Sequence, residues 1–127
     1  MRFAHVALWT RDLDAAAAFW RDYFGAEVGA AYHSRRRPGF VSQFVTLPGP
    51  GAHIELMTGP WVGAESAPER VGWAHVAVSL GGIAAVDALA ELCAAGGCLV
   101  SPPRRTGDGF YVAVVAMPDG TAVEITV

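Results

Sequence analysis

With 127 residues, 53% of them hydrophobic and 17% charged, the chain has the size and apolar content of one compact domain, which excludes a disordered polypeptide. A formal net charge of −3 gives no long-range attraction for a polyanion, so no nucleic-acid partner is expected and a small-molecule substrate fits better. No apolar run approaches the roughly 18 residues of a membrane span, and Met1-Arg2-Phe3-Ala4-His5 lacks the apolar core of a secretory signal; the expectation is a cytoplasmic protein with no membrane partner.

The first predicted element is an alternating strand over 3–9. Asp12 then offers an N-cap, and Leu13, Ala16, Ala17, Trp20 and Phe24 recur at helical spacing up to a stop at Gly25. Strand-like runs follow at about 27–33, 40–47 and 53–58, punctuated by Pro38-Gly39 and by Pro48-Gly49-Pro50-Gly51. A second strand at about 73–80 leads to Ile83, Val86, Ala90 and Cys93 on one helical face, to Gly96-Gly97 as the stop, and to strands at about 98–101, 110–117 and 122–127. Each half reads βαβββ, which places module one at 1–58, a linker rich in Pro and Gly at 59–71 and module two at 72–127.

The two halves share sequence as well as order. Phe3-Ala4-His5-Val6-Ala7-Leu8 matches Trp73-Ala74-His75-Val76-Ala77-Val78, with 70 residues from His5 to His75. The closing strands match through Glu55 and Glu124, which are 69 apart, so two independent anchors agree within one residue.

Several chemistries are absent from the residues. There is no lysine, all nine basic residues being arginine, which removes Schiff-base chemistry and a lysine base. No G-x-S-x-G elbow or phosphate-cradling glycine loop occurs. Cys93 and Cys98 have neither zinc-knuckle nor redox spacing and are expected to be buried, inert thiols.

Alternate strand residues face the same way, so Phe3, His5 and Ala7 share a face, as do Trp73 with His75, His53 with Glu55, and Glu124 with Thr126. The opposite faces are apolar and suit packing beneath the helices. Each of four strands thus turns one ionisable group, His5, Glu55, His75 or Glu124, away from the packed layer, where such a group is costly unless paired or bound to a cation. Two imidazoles and two carboxylates suit Ni²⁺, Zn²⁺, Co²⁺, Fe²⁺ or Mn²⁺, and a mixed nitrogen and oxygen set with room for water suits an open, catalytic site.

Phe3, Trp9 and Trp73 lie on the same faces and are candidates for lining a substrate pocket, with Trp61, Phe110 and Tyr111 as further aromatics at its mouth. His53, two residues from Glu55, is either a substrate contact or a solvated strand end, and His33 beside Arg35-Arg36-Arg37 reads as a solvated turn. Arg36, Arg37, Arg104 and Arg105 are candidate grips for an acidic substrate tail, since a guanidinium holds a carboxylate or phosphate bidentately.

On these residues the chain resembles the vicinal oxygen chelate superfamily, also called the glyoxalase, bleomycin resistance and dioxygenase superfamily, along essentially its whole length. His5, Glu55, His75 and Glu124 stand where glyoxalase I carries its metal ligands, and Pro118-Asp119-Gly120 is the family's turn before the last strand. Around that turn the family usually has Asp and Asn where this chain has Met117 and Thr121. The resemblance implies an α+β fold, two tandem βαβββ modules forming a curved mixed sheet around a central site with the helices outside. It implies a metal-dependent lyase or isomerase that moves a proton next to a carbonyl in a hemithioacetal or similar small α-hydroxycarbonyl compound. By that resemblance Glu124 is ligand and principal base, Glu55 is ligand and second base, and His5 and His75 are ligands only. A homodimer is implied too, because the glyoxalase branch often draws its four ligands from two subunits. Three rivals stay open: a coenzyme A thioester epimerase, an iron-dependent dioxygenase with a two-His, one-carboxylate triad, and a non-catalytic drug- or metabolite-binding protein.

Overall fold

Each half of the chain builds one mixed sheet beneath one helix. The computed structural model describes residues 4–50, 52–63, 73–107 and 109–127, and the chain divides into two units, Met1–Glu65 and Ser66–Val127. Phe3 and most of the expected linker at 59–71 lie outside the described residues.

In the first unit, strand β1 (His5–Trp9) leads to helix α1 (Leu13–Phe24), followed by β2 (Glu27–Val28), β3 (Tyr32–His33), β4 (Val41–Thr46) and β5 (His53–Thr58). Asp12 caps the helix by accepting from the Ala15 N–H at 2.9 Å. Gly25 ends it at φ 63°, a left-handed conformation that glycine adopts without a Cβ penalty. The sheet order is β1-β5-β4-β2, with β3 also on β4; β1 runs parallel to β5 and the other pairs are antiparallel. The single strand expected over 27–33 is therefore two short pieces. The break falls at Gly29, whose N–H donates to the Phe44 carbonyl at 2.8 Å and whose carbonyl accepts from the Gln43 side chain; glycine gives a strand interior nothing to pack.

The second unit repeats the plan with β6 (Val76–Ser79), α2 (Ile83–Ala95), β7 (Leu99–Arg105), β8 (Tyr111–Ala116) and β9 (Ala122–Thr126), in the order β6-β9-β8-β7 with β6 parallel to β9. The strand expected to begin at 73 starts at Val76, which leaves His75 immediately before it. The strand expected to end at 101 continues through Pro102-Pro103, because β7 is an edge strand and its pairing with β8 shifts register on both sides of Ser101, which leaves the two prolines between the paired residues Ser101 and Arg104. Gly97, at φ 76°, takes the left-handed position after α2 while Gly96 stays helical. The Pro118-Asp119-Gly120 turn closes the β8–β9 hairpin with Gly120 N–H donating to Met117 O at 2.9 Å.

Both cores follow the expected faces. Ala16, Ala17, Phe19 and Trp20 on α1 are buried, as are Val45, Ile54 and Leu56 of the sheet it packs against. Val86, Ala90 and Cys93 on α2 are buried with Ala113, Val115, Val123 and Ile125. Trp20 is fully buried between Phe19 and Phe24, and its Nε1–H has no partner among the described residues. In the second unit the Tyr111 hydroxyl donates to Asp87 Oδ1 at 2.6 Å, clipping β8 to α2. No helix among the described residues is long and apolar enough to cross a membrane.

Two stability outcomes follow from these cores. Trp20→Ala should cost about 3–5 kcal/mol in urea unfolding, and Trp20→Phe less, since a six-membered aromatic ring still fills most of the site and an unsatisfied donor leaves. The Asp87 hydrogen bond, then desolvation and the Asp87 charge, raise the Tyr111 pKa above 10.0. A group whose folded pKa is raised stabilises fully below its unfolded value and loses that contribution as pH climbs through the folded one. Melting temperatures above pH 10 should therefore fall less steeply for Tyr111→Phe than for the parent chain.

Candidate metal centre

The register of one parallel strand pair in each unit brings a histidine to a glutamate. In the first, Glu55 on β5 lies opposite Ala7 of β1, so its side chain shares a face with His5 and Ala7. His5 Nε2 is 3.7 Å from Glu55 Oε2, with the imidazole 43% and the carboxylate 20% exposed. In the second, Glu124 on β9 lies opposite Ala77 of β6, and His75 Nε2 is 3.9 Å from Glu124 Oε2, at 44% and 25% exposure. The two pairs match in strand order, register, spacing and exposure.

Both separations exceed a direct hydrogen bond. They lie within the roughly 4.2 Å that two donors, each about 2.1 Å from one divalent ion, can span. A mixed imidazole and carboxylate donor set at this spacing fits a borderline divalent cation, so the residues present suit the metal the sequence implies. Among the described residues, no group of three or more His, Cys, Asp or Glu side chains is gathered; each unit supplies a pair.

The remaining candidates divide. In the first unit Phe44, opposite Glu55 on β4, packs edge-on to the His5 ring with centroids 5.4 Å apart. Sequence reasoning missed it, because the β4–β5 register that brings it to Glu55 is not written in either strand alone. His53 lies opposite His5 and shares a hydrogen bond of 3.1 Å between its Nδ1 and the Thr46 hydroxyl. Trp9 stands two residues beyond Ala7 on the same face, edge-on to Phe40 at 6.1 Å. Arg37 stacks on Trp61 with its guanidinium carbon 3.9 Å from the ring centroid, while Arg36 is exposed.

In the second unit Trp73 is 89% exposed and precedes β6. Arg104 donates to Ser101 Oγ at 2.6 Å along β7, and Arg105 lies over the Tyr111 ring at 5.8 Å. Tyr111, one of the aromatics expected at a pocket mouth, instead turns its hydroxyl to Asp87 of the helix; a strand's alternation carries it to the packed face with Ala113 and Val115.

The thiols stand apart from this chemistry. Cys93 is fully buried on α2, and burial, followed by the hydrogen bond and charge of Cys98, pushes its thiol up to about 12. Cys98 is half-buried at the start of the next segment, so only Cys93 matches the buried pair expected from sequence. At pH 8 the folded protein should titrate with no more than one thiol per chain in a disulfide-reagent assay, rising to both on denaturation, because a thiol so shifted has almost no thiolate.

The sequence model of the Glyoxalase/Bleomycin resistance protein/Dioxygenase superfamily matches residues 2–125. The chain is 36% identical over 103 residues to the uncharacterized protein PA2024 of Pseudomonas aeruginosa, covering 79% of this chain and 69% of that protein. Among solved structures it is similar to a glyoxylase/bleomycin resistance protein/dioxygenase domain from Frankia sp. EAN1pec, with a TM-score of 0.87, 21% identity and coverage of 100% of this chain and 97% of that one. It is also similar to a V278E mutant of glyoxalase I from Zea mays, with a TM-score of 0.78, 22% identity and coverage of 98% of this chain and 44% of that one. At these identities the structural likenesses speak to the fold alone.

Proposed function

This chain belongs to the glyoxalase/bleomycin resistance protein/dioxygenase superfamily, and on that premise we propose that it is a metal-dependent lyase or isomerase of the glyoxalase I type, moving a proton next to the carbonyl of a hemithioacetal or similar small α-hydroxycarbonyl substrate. The observation that carries this reading is the duplicated pair: His5 with Glu55 and His75 with Glu124, alike in register and within 0.2 Å in spacing at 3.7 and 3.9 Å.

His5, Glu55, His75 and Glu124 would hold a divalent ion, Ni²⁺, Zn²⁺, Co²⁺, Fe²⁺ or Mn²⁺. When bound, the ion supplies a Lewis acid for the substrate's oxygen atoms. The chain's own residues do the rest. Glu124 takes the proton from the carbon beside the carbonyl and returns it to the neighbouring carbon, with Glu55 as second base. Partial exposure of both carboxylates leaves each reachable by substrate, and Phe44 against His5 removes one side of that imidazole from water. The functional unit in this reading is a homodimer.

Two equally placed glutamates favour this chemistry over a dioxygenase, which needs a single carboxylate so that iron keeps open positions for oxygen.

The test is to purify the protein without chelator or affinity tag and quantify bound transition metals in the parent chain, His75→Ala and Glu124→Gln. The expected result is about one metal per four-ligand site, lost or weakened in both variants. With methylglyoxal and a panel of thiols, Glu124→Gln should lower kcat by about 10²–10⁴-fold, the usual worth of a positioned base. Absence of metal at every concentration tried would overturn the enzyme reading in favour of a ligand-binding member of the family.

A further inference from the structure

We infer that Arg37, clamped on Trp61 beyond the far end of the His5–Glu55 face, is the specificity determinant of this protein, selecting substrates that carry a carboxylate remote from the reacting carbonyl. The inference deepens the proposed function, resting on it for the reacting end of the substrate and naming the chemistry of the other end.

The arginine is held from several sides. Its guanidinium carbon is 3.9 Å from the Trp61 ring centroid, 5.8 Å from that of Trp9 and 5.9 Å from that of Phe40. The loop that carries it is closed on itself: Ser34 N–H donates to Phe40 O, Phe40 N–H donates to Arg37 O, and Arg37 N–H donates to Ser34 Oγ, at 3.0–3.1 Å. One glycine makes room for the Trp61 ring and another for the proline before it. A Cβ on Gly59 would come within 2.5 Å of the Trp61 ring, and one on Gly39, itself at φ 86°, within 2.9 Å of Pro60.

Such an arrangement leaves the guanidinium with something to bind. Trp61 covers the guanidinium at stacking distance, whereas the five N–H donors of a guanidinium lie in its plane, at the edge. Among the described residues no Asp or Glu forms an ion pair with Arg37, and its side chain is exposed. Two parallel N–H bonds match the two oxygens of a carboxylate, and an arginine already fixed by its neighbours loses little freedom on engaging one.

Position fixes the geometry of the substrate. Trp9, on which Arg37 leans, lies on the same strand face as His5, four residues or about 13 Å along β1. Between them stands Ala7, whose small side chain leaves that stretch of the face low, beside Met57 and Glu55. The structure therefore suits an apolar body lying across Ala7 against Trp9 and Phe44, with its reacting oxygens at Glu55 and its carboxylate on the order of 10 Å away at Arg37.

The test uses metal-free protein and two probes of the same shape, phenylacetate and phenylacetamide, followed by ligand-observed NMR titration. The parent chain should bind the carboxylate about tenfold more tightly than the amide. Arg37→Gln should bring the two within about twofold, Arg37→Lys should fall between because it keeps the charge but not the fork, and Gly59→Ala should weaken the preference by displacing Trp61. Equal binding of both probes by the parent chain, or a preference that survives in Arg37→Gln, would overturn the inference. Metal content of the protein as purified, measured before the metal is stripped for the titration, separates the two readings: metal bound with no carboxylate preference sinks only the role of Arg37, whereas a carboxylate preference in protein that binds no metal sinks the lyase and leaves Arg37 as the anion grip.

Discussion

The parallel pairing of the first and last strands within each module is the constraint on which the candidate centre depends. Antiparallel neighbours can be joined by a tight turn, but parallel ones need a long crossover, here filled by a helix and further strands. That requirement brings residues roughly fifty apart in sequence into register, so Glu55 meets the His5 face and Glu124 the His75 face. The helix that completes each crossover also fixes which face is packed. Trp20 and its neighbours cover Ile54 and Leu56, and the intervening Glu55 has no choice but to turn outward.

A strand slipped by one residue would bury a carboxylate under an aromatic cluster and expose two aliphatic side chains. The apolar alternation of β5 and β9 therefore does two things together: it stabilises the module and aims its acid. Stability and chemistry are coupled through period two rather than through any dedicated scaffold residue. The same logic accounts for the likeness of the two pairs, since each module solves an identical packing problem.

Much of this could be read in the chain. His5 and His75, Glu55 and Glu124 stood out because alternation and a repeat with two agreeing anchors do not depend on long-range contacts; Asp12 and Gly25 marked the first helix by local hydrogen bonding and a left-handed turn. What escaped was set by partners elsewhere. Phe44 reaches His5 through the β4–β5 register, Tyr111 faces Asp87 because the hairpin positions it so, and Arg37 was one of several equivalent arginines until Trp61 and two glycines singled it out. The extent of β7 was hidden for a different reason: a proline pair reads as a stop unless the strand is known to be an edge.

That edge has a consequence for how the folded chain behaves in a crowded solution. An outer strand normally exposes a row of unpaired backbone groups that can template the strand of another molecule, the first step toward aggregation. On β7, Pro102 and Pro103 supply no N–H, the two register shifts kink the strand, and Arg104 and Arg105 add charge at its end. A foreign strand arriving there finds an interrupted ladder and a desolvation cost. The irregularity that made β7 hard to foresee thus acts as a built-in guard, and replacing the two prolines with β-branched residues would lengthen the ladder at the expense of keeping molecules apart.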